Sequence, residues 1–258
     1  MHTTGNTIFV PGATSGIGLA LAVRLQAAGN TVIIGGRRTA LLDRLAAEHG
    51  FGTVRIDIAD PASVAEATAD VVARYPDLDV LIAMAGIMRV EDWTTPGFLA
   101  DAEAVVTTNV LGPIRLIAAL TEHLQTRPGA TVVTVSSGLA HVPLRPTPSY
   151  NASKAAIHLL SESIRLQLEP HGVRVVELVP PAVRTTLLPS QEFAESAMPL
   201  DEYADEVMEL LARRPEAHEI LVERVGFLRH AETRGDYDQV VATLNATDRH
   251  ARQEASSR

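Results

Sequence analysis

Cysteine is missing from all 258 residues. Its absence excludes disulfides, zinc–thiolate sites and thiol catalysis, and it is compatible with a reducing compartment. Aromatic residues are scarce, at 4%, and no uninterrupted apolar run approaches the 18 residues that suggest a membrane span. Residues 1–6 are polar and lack the charged-then-apolar order of a signal peptide, so the expectation is a soluble, cytoplasmic protein. Positive charge is in deficit: 22 Lys and Arg face 31 Asp and Glu, for a net charge of −9. That balance argues against a nucleic-acid surface or an anionic membrane as the main partner. The nine histidines show no H-x-x-x-H spacing with a carboxylate partner, so no metal site is read from the sequence.

What is present is ordinary globular material, 46% hydrophobic and 21% charged. The length suits one large domain over residues 1–258. Val/Ile-rich runs at 7–10, 31–34, 52–56, 79–84, 130–135 and 173–179 alternate with Ala/Leu-rich helical stretches. The helices are expected up to Ala28, over 39–49, from Asp60-Pro61, over 99–125 and over 148–169. Continuous apolar strands alternating with helices predict an α/β fold whose parallel sheet is covered on both faces. Past Pro181 the pattern loosens. Residues 186–200 read as a flexible substrate loop, followed by a helix at 201–212, a strand at 219–222, a helix at 229–244 and a frayed tail over 247–258.

Two places carry chemistry. Between the first strand and first helix lies Gly12-Ala13-Thr14-Ser15-Gly16-Ile17-Gly18. Glycines at that junction let a pyrophosphate approach the backbone and the positive end of a helix. A phosphate loop would need Gly-Lys-Ser/Thr at its end, which is absent. The second strand runs into Gly35-Gly36-Arg37-Arg38, with no carboxylate to accept from a ribose 2′-hydroxyl. Two cations at a helix start oppose its dipole, and a 2′-phosphate would compensate, so NADP(H) is expected over NAD(H). The second place is Tyr150-Asn151-Ala152-Ser153-Lys154, a phenol and an ammonium four residues apart and so on one helix face.

With these elements assembled, the chain resembles the short-chain dehydrogenase/reductase family over nearly all of residues 7–222. Ser137 precedes Tyr150 by the family's interval, Asn109 matches its helix asparagine, and Asp57-Ile58 its adenine-contacting pair. Ala85-Gly86 closes its fourth-strand motif, and Pro180-Pro181-Ala182-Val183-Arg184-Thr185 matches its Pro-Gly-x-Val-x-Thr segment. The Val-Pro-Pro-Ala-Val run resembles a DltE-like subgroup. The resemblance implies a single-domain Rossmann-type doubly wound sheet. It makes Tyr150 the general acid/base, Lys154 its tuner and nicotinamide-ribose ligand, and Ser137 the substrate-oxygen ligand. Asn109 would anchor a water linking Lys154 to solvent. Val183, through its backbone, and Thr185, through its hydroxyl, would hold the carboxamide. It also implies a homodimer or homotetramer joined through the helices at 99–125 and 148–169. Three departures stand out: Pro11 for a threonine, Ala83-Met84 for Asn-Asn, and Pro181 for a glycine.

Each residue has a plainer reading: Tyr150 as packing, Lys154 as solvated charge, Ser137 as a turn cap, Asn109 as a kink filler. Their joint order sets them apart. The expected reaction interconverts a small hydrophobic carbonyl and its alcohol. Gly138 to Leu144, Met88, Trp93 and residues 187–200 are candidates for the substrate wall, with His141 read as a wall residue. A non-catalytic dinucleotide-binding regulator of the same fold is the alternative. A nucleotide-sugar epimerase or dehydratase is disfavoured by the short stretch after Val222.

Overall fold

The computed structural model describes residues 1–188 and 191–246. Seven strands form one sheet: β1 (Thr7–Pro11), β2 (Thr31–Gly36), β3 (Gly52–Arg55), β4 (Leu78–Ala83), β5 (Thr131–Val135), β6 (Arg174–Leu178) and β7 (Glu219–Ile220). Their order is β3-β2-β1-β4-β5-β6-β7, and every pairing is parallel. The expected Rossmann-type doubly wound sheet is what the chain forms. Its helices are α1 (Gly16–Ala27), α2 (Thr39–His49), α3 (Pro61–Arg74), α4 (Leu99–Val106), α5 (Gly112–Gln125), α6 (Pro148–Leu168) and α7 (Leu200–Arg213). Three short ones follow, α8 (Gly226–Arg229), α9 (Ala231–Arg234) and α10 (Tyr237–Ala246).

Alternation along the strands sorts the core into two layers. Ile8, Val10 and Ile34 pack with Leu21 and Leu25 of α1, Leu42 of α2 and Val207 of α7. Phe9, Ile33 and Leu81 point the other way, onto Val64 and Val71 of α3 and Leu116 and Leu120 of α5. The chain leaves β1 toward β2 on one side and returns through β4 on the other. That reversal opens a crevice at the carboxyl ends of β1 and β4, where ligands of such sheets bind.

Two expected helices are interrupted. The one at 99–125 contains a π-helical turn at Thr107–Leu111. Pro113 explains it: proline has no N–H to give the Asn109 carbonyl four residues back, and its ring crowds that carbonyl. The one at 229–244 becomes α8, α9 and α10, because Gly235 takes a left-handed φ of 79° and ends α9. The stretch Pro96–Gln125 is long and apolar enough to cross a membrane by composition, at a mean hydropathy of 1.5. Leu116, Leu120 and Leu124 on its inner side are instead buried against the sheet. The predicted tail at 247–258 lies outside the described residues.

Candidate active site

A cavity of about 530 Å3 occupies the crevice. One end is walled by Gly12, Ser15, Gly16, Ile17 and Gly18 with Arg37 and Arg38, the other by Ser137, Tyr150 and Lys154. Gly86, Pro180, Val183 and Thr185 lie on the wall as well.

The glycine end is shaped by backbone approach. Gly12 has φ 94°, and a Cβ there would lie 2.5 Å from the Ala85 Cα, so the first turn crosses directly over the end of β4. A Cβ on Gly18 would lie 2.8 Å from the Met84 Cγ. Met84, one of the departures from the family pattern, thus packs against the helix start in place of a polar brace. The Ser15 side chain makes no cap bond to α1, and the N–H groups of the helix's first turn face the cavity. Such a wall fits a pyrophosphate, with two arginines beside it. Pro11 sits at the carboxyl end of β1, where Gly12 N–H carries the ladder on to the Gly35 carbonyl at 2.8 Å.

At the other end, α6 places Tyr150 and Lys154 on one face. Both are buried, and the Lys154 Nζ lies 5.5 Å from the Tyr150 ring centroid. Lys154 donates to the Val135 carbonyl at the end of β5 at 2.8 Å. Burial pushes the Tyr150 phenol up to about 12, while the Ser137 hydroxyl against it pulls the other way. Burial also pushes Lys154 down to about 8, with the Glu177 charge opposing. Ser137 is the residue where β5 turns into the next loop, and its Oγ accepts from the Leu139 N–H at 3.1 Å.

Five predicted residues are not on the cavity wall. Thr14 accepts from Arg38 Nη2 at 3.2 Å and so positions that guanidinium. Ala85 backs Gly12. The Asp57 carboxylate accepts from the Ala59 N–H at 3.0 Å, and Ile58 is buried in the core beside Gly112. Asn109 is buried at the π turn. Its Oδ1 accepts from the Ile87 N–H at 2.8 Å, and its Nδ2 donates to the Ile87 carbonyl at 2.9 Å and to Ser153 Oγ at 3.1 Å. It stitches the loop after β4 to α6. Gly86 stands between: a Cβ there would be 3.4 Å from Asn109 Oδ1 and 3.8 Å from Lys154 Nζ.

Residues 6–195 match the short chain dehydrogenase family. This chain belongs to the short-chain dehydrogenase/reductase family. It is an oxidoreductase of that family and is similar to the DltE type. It is 38% identical over 186 residues to the uncharacterized oxidoreductase DltE of Bacillus subtilis, covering 71% of this chain and 73% of that one. Serine 3-dehydrogenase of Rhizobium radiobacter is 35% identical over 176 residues, 67% of this chain and 70% of the relative. Among solved structures, a short chain dehydrogenase from Burkholderia cenocepacia in complex with NADP superposes with a TM-score of 0.81. It is 27% identical, covering 95% of this chain and 99% of that one. The family binds a nicotinamide dinucleotide, and the walls described above fit one.

Several features of this dehydrogenase/reductase were not read from its sequence. Lys154 is its only lysine; of 22 basic Lys and Arg residues, every other is arginine. Arginine is bulkier and always charged, so retention of one lysine where a compact, adjustable ammonium is needed is itself a signal. Glu91 is nearly buried, and its Oε2 accepts from the Ser149 N–H at 3.1 Å and from the Trp93 indole at 2.9 Å. It caps the first turn of α6, one residue before Tyr150, where a carboxylate suits the helix dipole. Trp93, expected at the substrate wall, is spent on that contact and on stacking with Phe98 at 4.1 Å. Leu228 of α8 and Leu244 of α10 line the cavity. In the substrate loop, residues 182–184 are tied to Met198 by backbone bonds of 2.8 and 2.9 Å, and Leu188 packs with Met88 and Tyr150. His141 is not on the cavity wall.

Proposed function

We propose that this oxidoreductase interconverts a small apolar carbonyl compound and its alcohol with NADP(H), with Tyr150 moving the proton. One observation carries the reading: Ser137, Tyr150 and Lys154 converge at one end of a cavity whose other end is a glycine-lined helix start flanked by Arg37 and Arg38. When bound, the nicotinamide supplies or accepts the hydride. Tyr150, whose burial keeps its phenol protonated at neutral pH, donates to the developing oxyanion in reduction and accepts in oxidation. Ser137 donates its hydroxyl to the same oxygen and stabilises charge there. Lys154, held near neutrality's edge, favours the phenolate as the proton leaves and returns a proton through the gap that Gly86 keeps beside Asn109. Met88, Leu139, Leu144 and Leu188 make the surroundings of Tyr150 apolar, which supports a hydrophobic substrate.

The preference for NADP(H) rests on Arg37 and Arg38 and on the absence of a carboxylate at the end of β2; the NADP-bound relative supports it. Arg37→Asp and Arg38→Ala together are expected to lower kcat/KM for NADPH by about 10–100-fold, the worth of a charged phosphate contact, and to leave NADH turnover intact. Equal losses with both cofactors, or none, would sink the preference.

We also propose that the enzyme is a dimer or tetramer. α4 and α6 pack side by side, and Leu99, Val106, Leu159 and Leu166 stand exposed on them, Leu166 at 80%. A second copy would cover that apolar face. Light scattering at micromolar concentration should give at least twice 27.6 kDa; a monomer would contradict it.

A further inference from the structure

Beside the active cavity, three side chains remote in sequence meet. His141 from the loop after β5, His158 from α6 and Glu219 from β7 each bring one ligand atom within 4.8 Å of the others. His158 is one helical turn beyond Lys154. Its Nδ1 lies 2.9 Å from Oε2 of Glu177, a β6 carboxylate with no exposed surface. In the neutral ring that contact keeps the proton on Nδ1, donated to the carboxylate, and leaves the Nε2 lone pair to ligate, the arrangement in which a metal-ligating histidine is oriented from behind. The His141 Nε2 is buried with no hydrogen-bond partner among the described residues. A desolvated ring nitrogen without a partner is a loss that the fold leaves uncompensated. The two rings meet edge to face with centroids 4.6 Å apart.

We propose that His141, His158 and Glu219 form a site for a divalent transition ion of the zinc class, with Glu177 as the carboxylate that orients His158. Two imidazoles and one carboxylate are a zinc donor set that leaves a fourth position for water. Donors 2.0–2.1 Å from a tetrahedral ion lie roughly 3.3–3.5 Å apart, so ligand atoms now within 4.8 Å of one another close by at most about 1.5 Å on binding. Charge favours it: Glu177 and Glu219 outnumber Arg229, and Glu162 adds its carboxylate 3.8 Å from His158 Nε2. Arg229 pairs with both Glu219 oxygens, at 2.8 and 2.9 Å, and the remaining lone pairs of that carboxylate serve the ion. The ion would tie the loop that begins at Ser137 to α6 and to β7, steadying a substrate wall without touching the hydride chemistry.

The test uses the full chain, stripped with a chelator and titrated with Zn2+ against a chromogenic competitor, then with Co2+ for its visible ligand-field band. About one equivalent should bind, with a rise in Tm on adding Zn2+. His141→Phe and His141→Asn should each lower the affinity at least tenfold and remove the cobalt band. Glu177→Gln should weaken binding about 10–100-fold. No stoichiometric binding by the parent chain, or undiminished binding in both folded His141 variants, would overturn the site. Because the readouts are metal affinity and Tm, the result is independent of any turnover assay.

Discussion

Tyr150→Phe is expected to bind NADPH as the parent chain does and to turn over about 10²–10⁴-fold more slowly, the range supplied by a positioned acid or base. The substitution removes one oxygen and leaves the ring in its apolar nest of Met88, Leu139, Leu144 and Leu188. Burial raises the phenol to about 12, so at neutral pH it carries the proton that a reduced carbonyl oxygen must receive. Phenylalanine has none to give. The fold should be unharmed, because Ser137, the hydroxyl set against that oxygen, still accepts from Leu139. Stopped-flow reduction with saturating NADPH separates binding from the chemical step. A variant within a few-fold of the parent rate would remove Tyr150 from the mechanism.

Lys154→Met should pull activity and stability in opposite directions. Burial holds the ammonium down to about 8 from an ordinary 10.5, so at pH 7 the charge opposes folding by about 3 kcal/mol. Methionine fills similar volume without that penalty, though the Val135 carbonyl loses its donor, a loss of about 1 kcal/mol. The net gain of about 1–2 kcal/mol should raise Tm by roughly 2–8 °C while turnover falls at least a hundredfold. The sign with pH is fixed. A lysine whose folded value is depressed contributes stability above 10.5 and loses it as pH falls through 8, so the variant's advantage should shrink as pH rises from 8 to 10.5. Calorimetry across that window checks it. Because Lys154 is the only lysine, selective isotopic labelling yields one side-chain resonance, whose midpoint should fall near 8 rather than 10.5.

The sheet was legible because most of its longer strands are apolar runs rich in Val and Ile, and buried parallel strands leave that trace. The site's local pieces were legible for the same reason: the glycine turn, the arginine pair and the Tyr150–Lys154 spacing each sit within one short stretch. What escaped depends on contacts across the chain. Glu91 reaches Ser149 across 58 positions. His141, His158 and Glu219 come from a loop, a helix and a strand, and no spacing rule joins them. The π turn was in principle readable, since Pro113 stands four residues after Asn109, yet helix periodicity through 99–125 masks it. Gly235 likewise marks the break in the last helix, where an apolar pattern on both sides suggests continuity. Trp93 was misplaced because an aromatic near a cavity loop says nothing about which way its ring turns.

The most direct measurement is loss of the reduced-nicotinamide absorbance when the full chain is mixed with NADPH or NADH and a panel of apolar ketones and aldehydes. NADPH should be consumed with at least one of them, faster than NADH and only slightly by Tyr150→Phe. Stoichiometric NADPH binding without consumption across the panel would contradict catalysis and leave a dinucleotide-binding regulator in its place.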